Sequence, residues 1–141
     1  MRITSAKAVW KGNLKEGNGR YHLNSSGYED AYSFATRFGD SKGSNPEELI
    51  GAAHAACFSM ALSNIVDGEG YKPVELKTKA SVKMDAVEGG SAITSIHLET
   101  EAKIEGIDND TFQKLAEKAK ENCPVSKALA ALEITLEANL V

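Results

Sequence analysis

The segment SNPEELIGAAHAACFSMAL, residues 44–62, together with its continuation to Val66, decides the architecture. Asn45 is a good N-cap residue, Pro46 suits the first helical position, and Glu48 stands where a capping-box carboxylate belongs. Glu47 and Glu48 both favour the positive end of a helix dipole. These signals predict a helix over roughly residues 46–66. Leu49, Ile50, Phe58, Met60, Leu62, Ile65 and Val66 point in several directions around it, with small alanines between them. A surface helix carries a single apolar stripe, so this one is expected to be central and enclosed. The uncharged run from Leu49 to Val66 is Ala-rich, borderline short for a bilayer, and interrupted by His54, Ser59, Ser63 and Asn64. That favours a buried core helix over a membrane span.

The flanking sequence reads mostly as strands. Ile3 to Lys11 is β-like, GNLKEGNG is a turn, and Arg20 to Asn24 and Ala31 to Arg37 read as further short strands before the link FGDSKGSN. Downstream, Val74 to Asp85 alternates, with Val74, Leu76, Ala80, Val82 and Met84 on one face. EGG supplies a hairpin turn, after which Ile96, Leu98, Ala102 and Ile104 alternate against His97, Glu99, Glu101 and Lys103. Asp108 to Asn122 is an amphipathic helix with Phe112, Leu115, Ala116 and Ala119 inward. Pro124 opens a short helical segment to about Leu129, and Ile134, Leu136, Ala138 and Leu140 mark a last strand. The expected class is α+β, in a single domain over residues 1–141 with antiparallel sheets around a long buried helix. Each C-terminal strand keeps one wet face, so its sheet covers only one side of that helix. A second copy would cover the rest, which leads us to expect an obligate homodimer with the central helices buried between sheets.

Composition narrows the function. The chain has 141 residues, 26% charged and 42% hydrophobic, with a formal net charge of −4. That is globular rather than disordered, and it offers no basic footprint for nucleic acid. The opening MRITSAKAVW has no apolar run of the signal-peptide kind, so a cytoplasmic location is expected. In a reducing compartment the two cysteines, Cys57 and Cys123, are candidates for catalysis, redox sensing or metal binding rather than a structural bridge. They lie 66 positions apart with no CxxC, and His22, His54 and His97 show no zinc spacing, so neither a metal nor a bound cofactor is expected.

Locally, Cys57 reads as a small buried hydrophobe whose pKa burial would raise, so it needs a nearby cation to become a useful thiolate. His54, three residues earlier on the same helix, is one candidate; a Cys/His pair would also suit a thiol hydrolase. Cys123, in NCPVSKAL, immediately precedes a helix-opening proline, where helix N-terminal amides favour a thiolate. A small-molecule or lipid-binding dimer with incidental cysteines is the principal alternative from another class.

The segment SNPEELIGAAHAACFSMAL, followed about 66 residues after its cysteine by NCPVSKAL, resembles the OsmC branch of the OsmC/Ohr family of organic hydroperoxide reductases. The resemblance implies an α+β fold, an intertwined dimer with active sites at the subunit interface, and reduction of organic hydroperoxides by an external thiol or dithiol. It implies that Cys57 is the peroxidatic cysteine, that Cys123 is the resolving cysteine, and that the two form a disulfide. It implies that Arg37 activates the thiolate, with Arg20 as its rival for that role, and that Glu47 orients the arginine. Leu49, Ile50, Phe58 and Met60 are then expected to wall the substrate site. Glu47 and Cys57 stand ten residues apart on one helix, roughly 15 Å along its axis. An Arg–Glu clamp therefore reaches Cys57 only if the helix breaks or if the clamp belongs to the partner subunit.

Overall fold

The computed structural model describes residues 1–141 throughout, in two units, Met1–Leu49 and Ile50–Val141. The first unit holds a three-stranded antiparallel sheet of β1 (Ala6–Lys11), β2 (Asn18–Leu23) and β3 (Glu29–Tyr32), in the order β1-β2-β3. Gly19 lies beneath the Trp10 and Tyr32 rings, where an added Cβ would come within 2.7 Å of both, so only glycine fits there. The expected strand Ala31–Arg37 is corrected: β3 ends at Tyr32, and Phe34–Phe38 forms a short helix, α1. The cause is local. Ser33 Oγ accepts the Thr36 N–H at 3.2 Å and Thr36 Oγ1 accepts the Ser33 N–H at 2.9 Å, a closed capping box.

The central helix, α2, runs unbroken over Pro46–Gly68. Asn45 Oδ1 accepts the Glu48 N–H at 2.8 Å, so the start lies where the sequence places it. Gly51, His54, Phe58, Leu62 and Val66 form its buried face, at the three- and four-residue spacing of one helical stripe. Ala52, Ala53, Ala56, Met60 and Asn64 form a bare face, and Met60 is 75% exposed. The enclosure expected of α2 is thus met on one side only. Its length and mean hydropathy of 1.6 would allow a membrane span, but Phe58, Leu62 and Val66 belong to the core of the second unit.

That core is closed by a second sheet, ordered β4 (Lys72–Val87), β5 (Gly90–Glu105) and β6 (Glu133–Leu140). β4 and β5 are an antiparallel hairpin turning at Glu88–Gly89, and Gly89 takes the φ of +84° that the turn demands. Val74 departs from the expected inward set. A bulge falls between Pro73 and Glu75, the alternation slips, and Val74 is 49% exposed. β6 pairs parallel to β5, so the chain between them must cross over, and it does so through α3 (Asn109–Asn122) and α4 (Pro124–Ala128). Phe112, Leu115, Ala116 and Ala119 of α3 are buried as read. Cys123 is the joint of this crossover. It caps the end of α3 by donating its N–H to the Ala119 carbonyl (2.9 Å), and its own carbonyl accepts the Lys127 N–H of α4 (3.0 Å).

Candidate active site

Two constellations carry chemistry, one in each unit. In the first, Arg37 ends α1 and Glu47 opens α2. Arg37 Nη2 and Nε donate to Glu47 Oε1 at 2.7 and 3.0 Å, and Nε also reaches Oε2 at 3.3 Å. The Glu47 side chain is 11% exposed, so this charge-assisted contact fixes the guanidinium plane in a largely dry setting. The guanidinium also sits over the Phe38 ring, 5.2 Å from its centroid. Trp10, Leu14, Tyr32, Phe34 and Phe38 surround Arg37 in a cleft of about 240 Å³. Arg20, by contrast, pairs with Glu29 at 2.6 Å on the exposed strands β2 and β3.

In the second unit α2 presents Cys57, half-buried, and the α3–α4 joint presents Cys123, fully buried. Both thiols are free, and Cys123 stands close enough to Cys57 to perturb its thiol. Burial pushes the Cys57 pKa up, and contact with Cys123 pushes it the same way. The nearby Val125 backbone N–H opposes both. Cys123 is itself the N-cap of α4 and makes no side-chain cap bond.

His54 does not supply a cation. Its Nε2 is 2.7 Å from Ser126 Oγ and burial lowers its pKa, so the imidazole is neutral at pH 7. Nor does Phe58 wall a substrate cleft, because it is fully buried in the core; the aromatic cleft found here surrounds Arg37 instead.

A grouping not foreseen is His97, Glu99 and Glu137, whose ligand atoms lie within 4.8 Å of one another on β5 and β6. Sequence spacing hides it because the parallel register sets Glu99 beside Glu137. Each is engaged elsewhere: His97 Nδ1 with Thr135 Oγ1 (2.6 Å), Glu99 with Lys79 (3.6 Å), and Glu137 with Asn139 (3.2 Å). Ser126 was also overlooked, although it lies inside NCPVSKAL, one helical turn beyond Cys123.

A family model described as OsmC-like protein matches residues 39–138. The chain is 49% identical to peroxiredoxin OsmC of Escherichia coli over 135 residues, covering 95% of this chain and 94% of that one. It is 33% identical over 96 residues to an organic hydroperoxide resistance protein of Xanthomonas axonopodis pv. citri, covering 67% and 66% of the two. The fold matches that of an OsmC-like protein of unknown function from Vibrio cholerae with a TM-score of 0.77 at 18% identity, covering 98% and 99% of the chains. With both cysteine segments, the sheet order and the central helix in place, the chain belongs to the OsmC family.

Proposed function

We propose that the protein is a thiol-dependent peroxidase that reduces organic hydroperoxides to alcohols, with Cys57 attacking and Cys123 resolving. One observation carries this reading: the two cysteines, both free and 66 positions apart in sequence, are brought together so closely that Cys123 raises the Cys57 pKa. A binding protein with incidental cysteines has no need of that proximity.

The Cys57 thiolate attacks the O–O bond, which breaks. The distal oxygen stays on sulfur as sulfenic acid, and the alkoxide takes up a proton and leaves as alcohol. Cys123 then attacks the Cys57 sulfenic sulfur, a disulfide forms, and hydroxide departs with a proton as water. An external dithiol restores both thiols by exchange and is itself oxidised to a disulfide. The half-buried Cys57 sulfur is the more accessible target for that exchange, because Cys123 is fully buried.

A cation is still required. Burial opposes the Cys57 thiolate, and a single amide offsets it only in part. We assign that role to Arg37, oriented by Glu47, with the aromatic cleft around it receiving the organic part of the hydroperoxide. Because α2 is unbroken, a broken helix does not bring the clamp to the sulfur. The remaining route is a homodimer in which one subunit's Arg37–Glu47 pair serves the other subunit's Cys57. The bare face of α2, with Ala52, Ala53, Ala56 and Met60, suits such an assembly because small residues let two helices approach closely. The two units then act as parts of a single domain in an intertwined dimer, in the cytoplasm where dithiol reductants operate. Bacterial relatives are consistent with that setting.

The test is consumption of cumene hydroperoxide with dithiothreitol by the wild type and by Cys57→Ser. Loss of at least about a hundredfold is expected, since the nucleophile is removed. Activity that survives the substitution would refute the mechanism.

A further inference from the structure

His54 is fully buried on α2, and its ring makes one polar contact, Nε2 to Ser126 Oγ at 2.7 Å. Its Nδ1 has neither exposure nor a hydrogen-bond partner. A buried imidazole is costly to keep half-satisfied, so the contact it does make is the one that justifies its place. What that contact joins is informative. His54 lies one helical turn before Cys57, and Ser126, itself 5% exposed, lies one turn after Cys123. Val125, between Cys123 and Ser126, lies near enough to Cys57 for its amide to lower the thiol's pKa.

α4 is five residues long and cannot hold itself in place by helical hydrogen bonds alone. Its α3 end is fixed by the Cys123 N–H to Ala119 carbonyl bond. Cys123 also stands beside Cys57 of α2, but that pairing changes in turnover, and Leu129 packs on the core without directional bonding. The His54–Ser126 bond is the strong polar tie between these helices that the chemistry leaves intact.

We propose that His54 is a positioning residue whose bond to Ser126 pins α4 against α2 and so holds Cys123 in place for disulfide closure with Cys57. This rests on the thiol-peroxidase reading for its purpose, but not for its measurement. In the step concerned the Cys123 sulfur attacks the Cys57 sulfenic sulfur, the S–O bond breaks, and one water leaves. With the pin removed Cys123 samples other positions, closure slows, and the sulfenic acid lives longer.

The experiment compares wild type, Ser126→Ala, His54→Leu, the double variant and His54→Gln, whose amide can still bond to Ser126. Closure is driven first by diamide, which accepts two electrons and two protons to become a hydrazine and needs no peroxide. It is driven second by cumene hydroperoxide, with dimedone trapping the sulfenic acid. Acid quenching and mass spectrometry give the rates. Ser126→Ala and His54→Leu should each slow closure about tenfold, the worth of one net hydrogen bond. The double variant should be no slower than either single one, dimedone adduct should increase, and His54→Gln should restore most of the rate.

Wild-type closure rates in both single variants, or losses that multiply in the double variant, would overturn the proposal. Circular dichroism identifies a variant that fails to fold. Should His54→Leu fail, Ser126→Ala carries the test, because it removes one oxygen and leaves α4 intact. Slow closure with diamide in a protein whose hydroperoxide consumption ignores Cys57 would uphold the pin and reject the peroxidase. Normal closure in a protein that passes the Cys57→Ser test would do the reverse.

Discussion

The Val125 backbone N–H, on α4, lies near enough to Cys57, on α2, to favour its thiolate, while Cys123 at the head of α4 makes no side-chain cap bond. The start of α4 therefore favours a Cys57 thiolate, and its cap residue is the one we propose as the resolving cysteine. Two influences work against that amide: burial, and the Cys123 thiol itself. Replacing Cys123 with Ala removes the second. The pH profile of Cys57 alkylation by iodoacetamide should then move to lower pH than in the wild type, where Cys57 is labelled selectively because Cys123 is buried. An unmoved or raised midpoint would contradict the direction of the thiol–thiol coupling. The same variant should release about one equivalent of alcohol rapidly and then turn over poorly, with sulfenic acid accumulating on Cys57.

Arg37→Ala should lower kcat/KM for an organic hydroperoxide by about a hundredfold, the scale of losing one preorganised charged donor at a developing anion. It also leaves the Glu47 carboxylate without its partner in a largely dry site, so thermal stability should fall as well. Arg37→Lys should recover only part of the rate, because an ammonium cannot reproduce the bonds that Nε and Nη2 make to Glu47. Arg20→Ala is the control. Its pair with Glu29 is solvent-exposed, and activity should stay within about twofold of wild type. Equal losses from the two substitutions would remove Arg37 from its assigned role.

Much of this was legible in the sequence, and the limits have physical causes. The second unit reads well because its strands alternate and α3 carries a clean stripe, so Phe112, Leu115, Ala116 and Ala119 fall inward as expected. Errors arose where a short-range hydrogen bond overrode the pattern. The Ser33–Thr36 capping box turned an expected strand into α1, and a bulge at Val74 shifted one residue out of the core. At the site, the cysteine segments announced themselves through NPEEL and NCPVS, and the same stretch suggested a helix start beside Cys123. That Cys57 and Cys123 stand together was hidden, because it depends on how α4 packs on α2. His54 illustrates the same limit. Its spacing to Cys57 suggested a cation, whereas burial and Ser126 make it a neutral strut.

Acid should expose His54 as a stability element. Its folded pKa is depressed by burial below the ordinary value of 6.5. Above that value the imidazole is neutral in both folded and unfolded chains, and the stability is complete. As pH falls below it, the unfolded chain takes up a proton that the folded chain resists, so folding stability is lost as pH drops towards the folded pKa. Urea midpoints measured at about pH 7 and about pH 5.5 should differ less in His54→Gln than in the wild type. An identical difference in the two proteins would show that the buried imidazole does not contribute to the acid limb.

The shared-site dimer makes a prediction that no single-subunit arrangement reproduces. Met60 is 75% exposed on the alanine-rich face of α2. If that face is the interface, Met60→Glu places a charge where two helices meet, and light scattering should show the dimer give way to single chains with activity lost. The decisive measurement mixes two inactive proteins, Cys57→Ser and Arg37→Ala, under conditions that let subunits exchange. In the hybrid dimer one site combines an intact Cys57 with an intact Arg37 of the partner subunit, and the other site has neither. Random exchange makes half the dimers hybrid with one working site of two, so activity should rise from near zero to about a quarter of wild type. A mixture that exchanges subunits yet stays inactive would mean that Arg37 and Cys57 must come from the same chain.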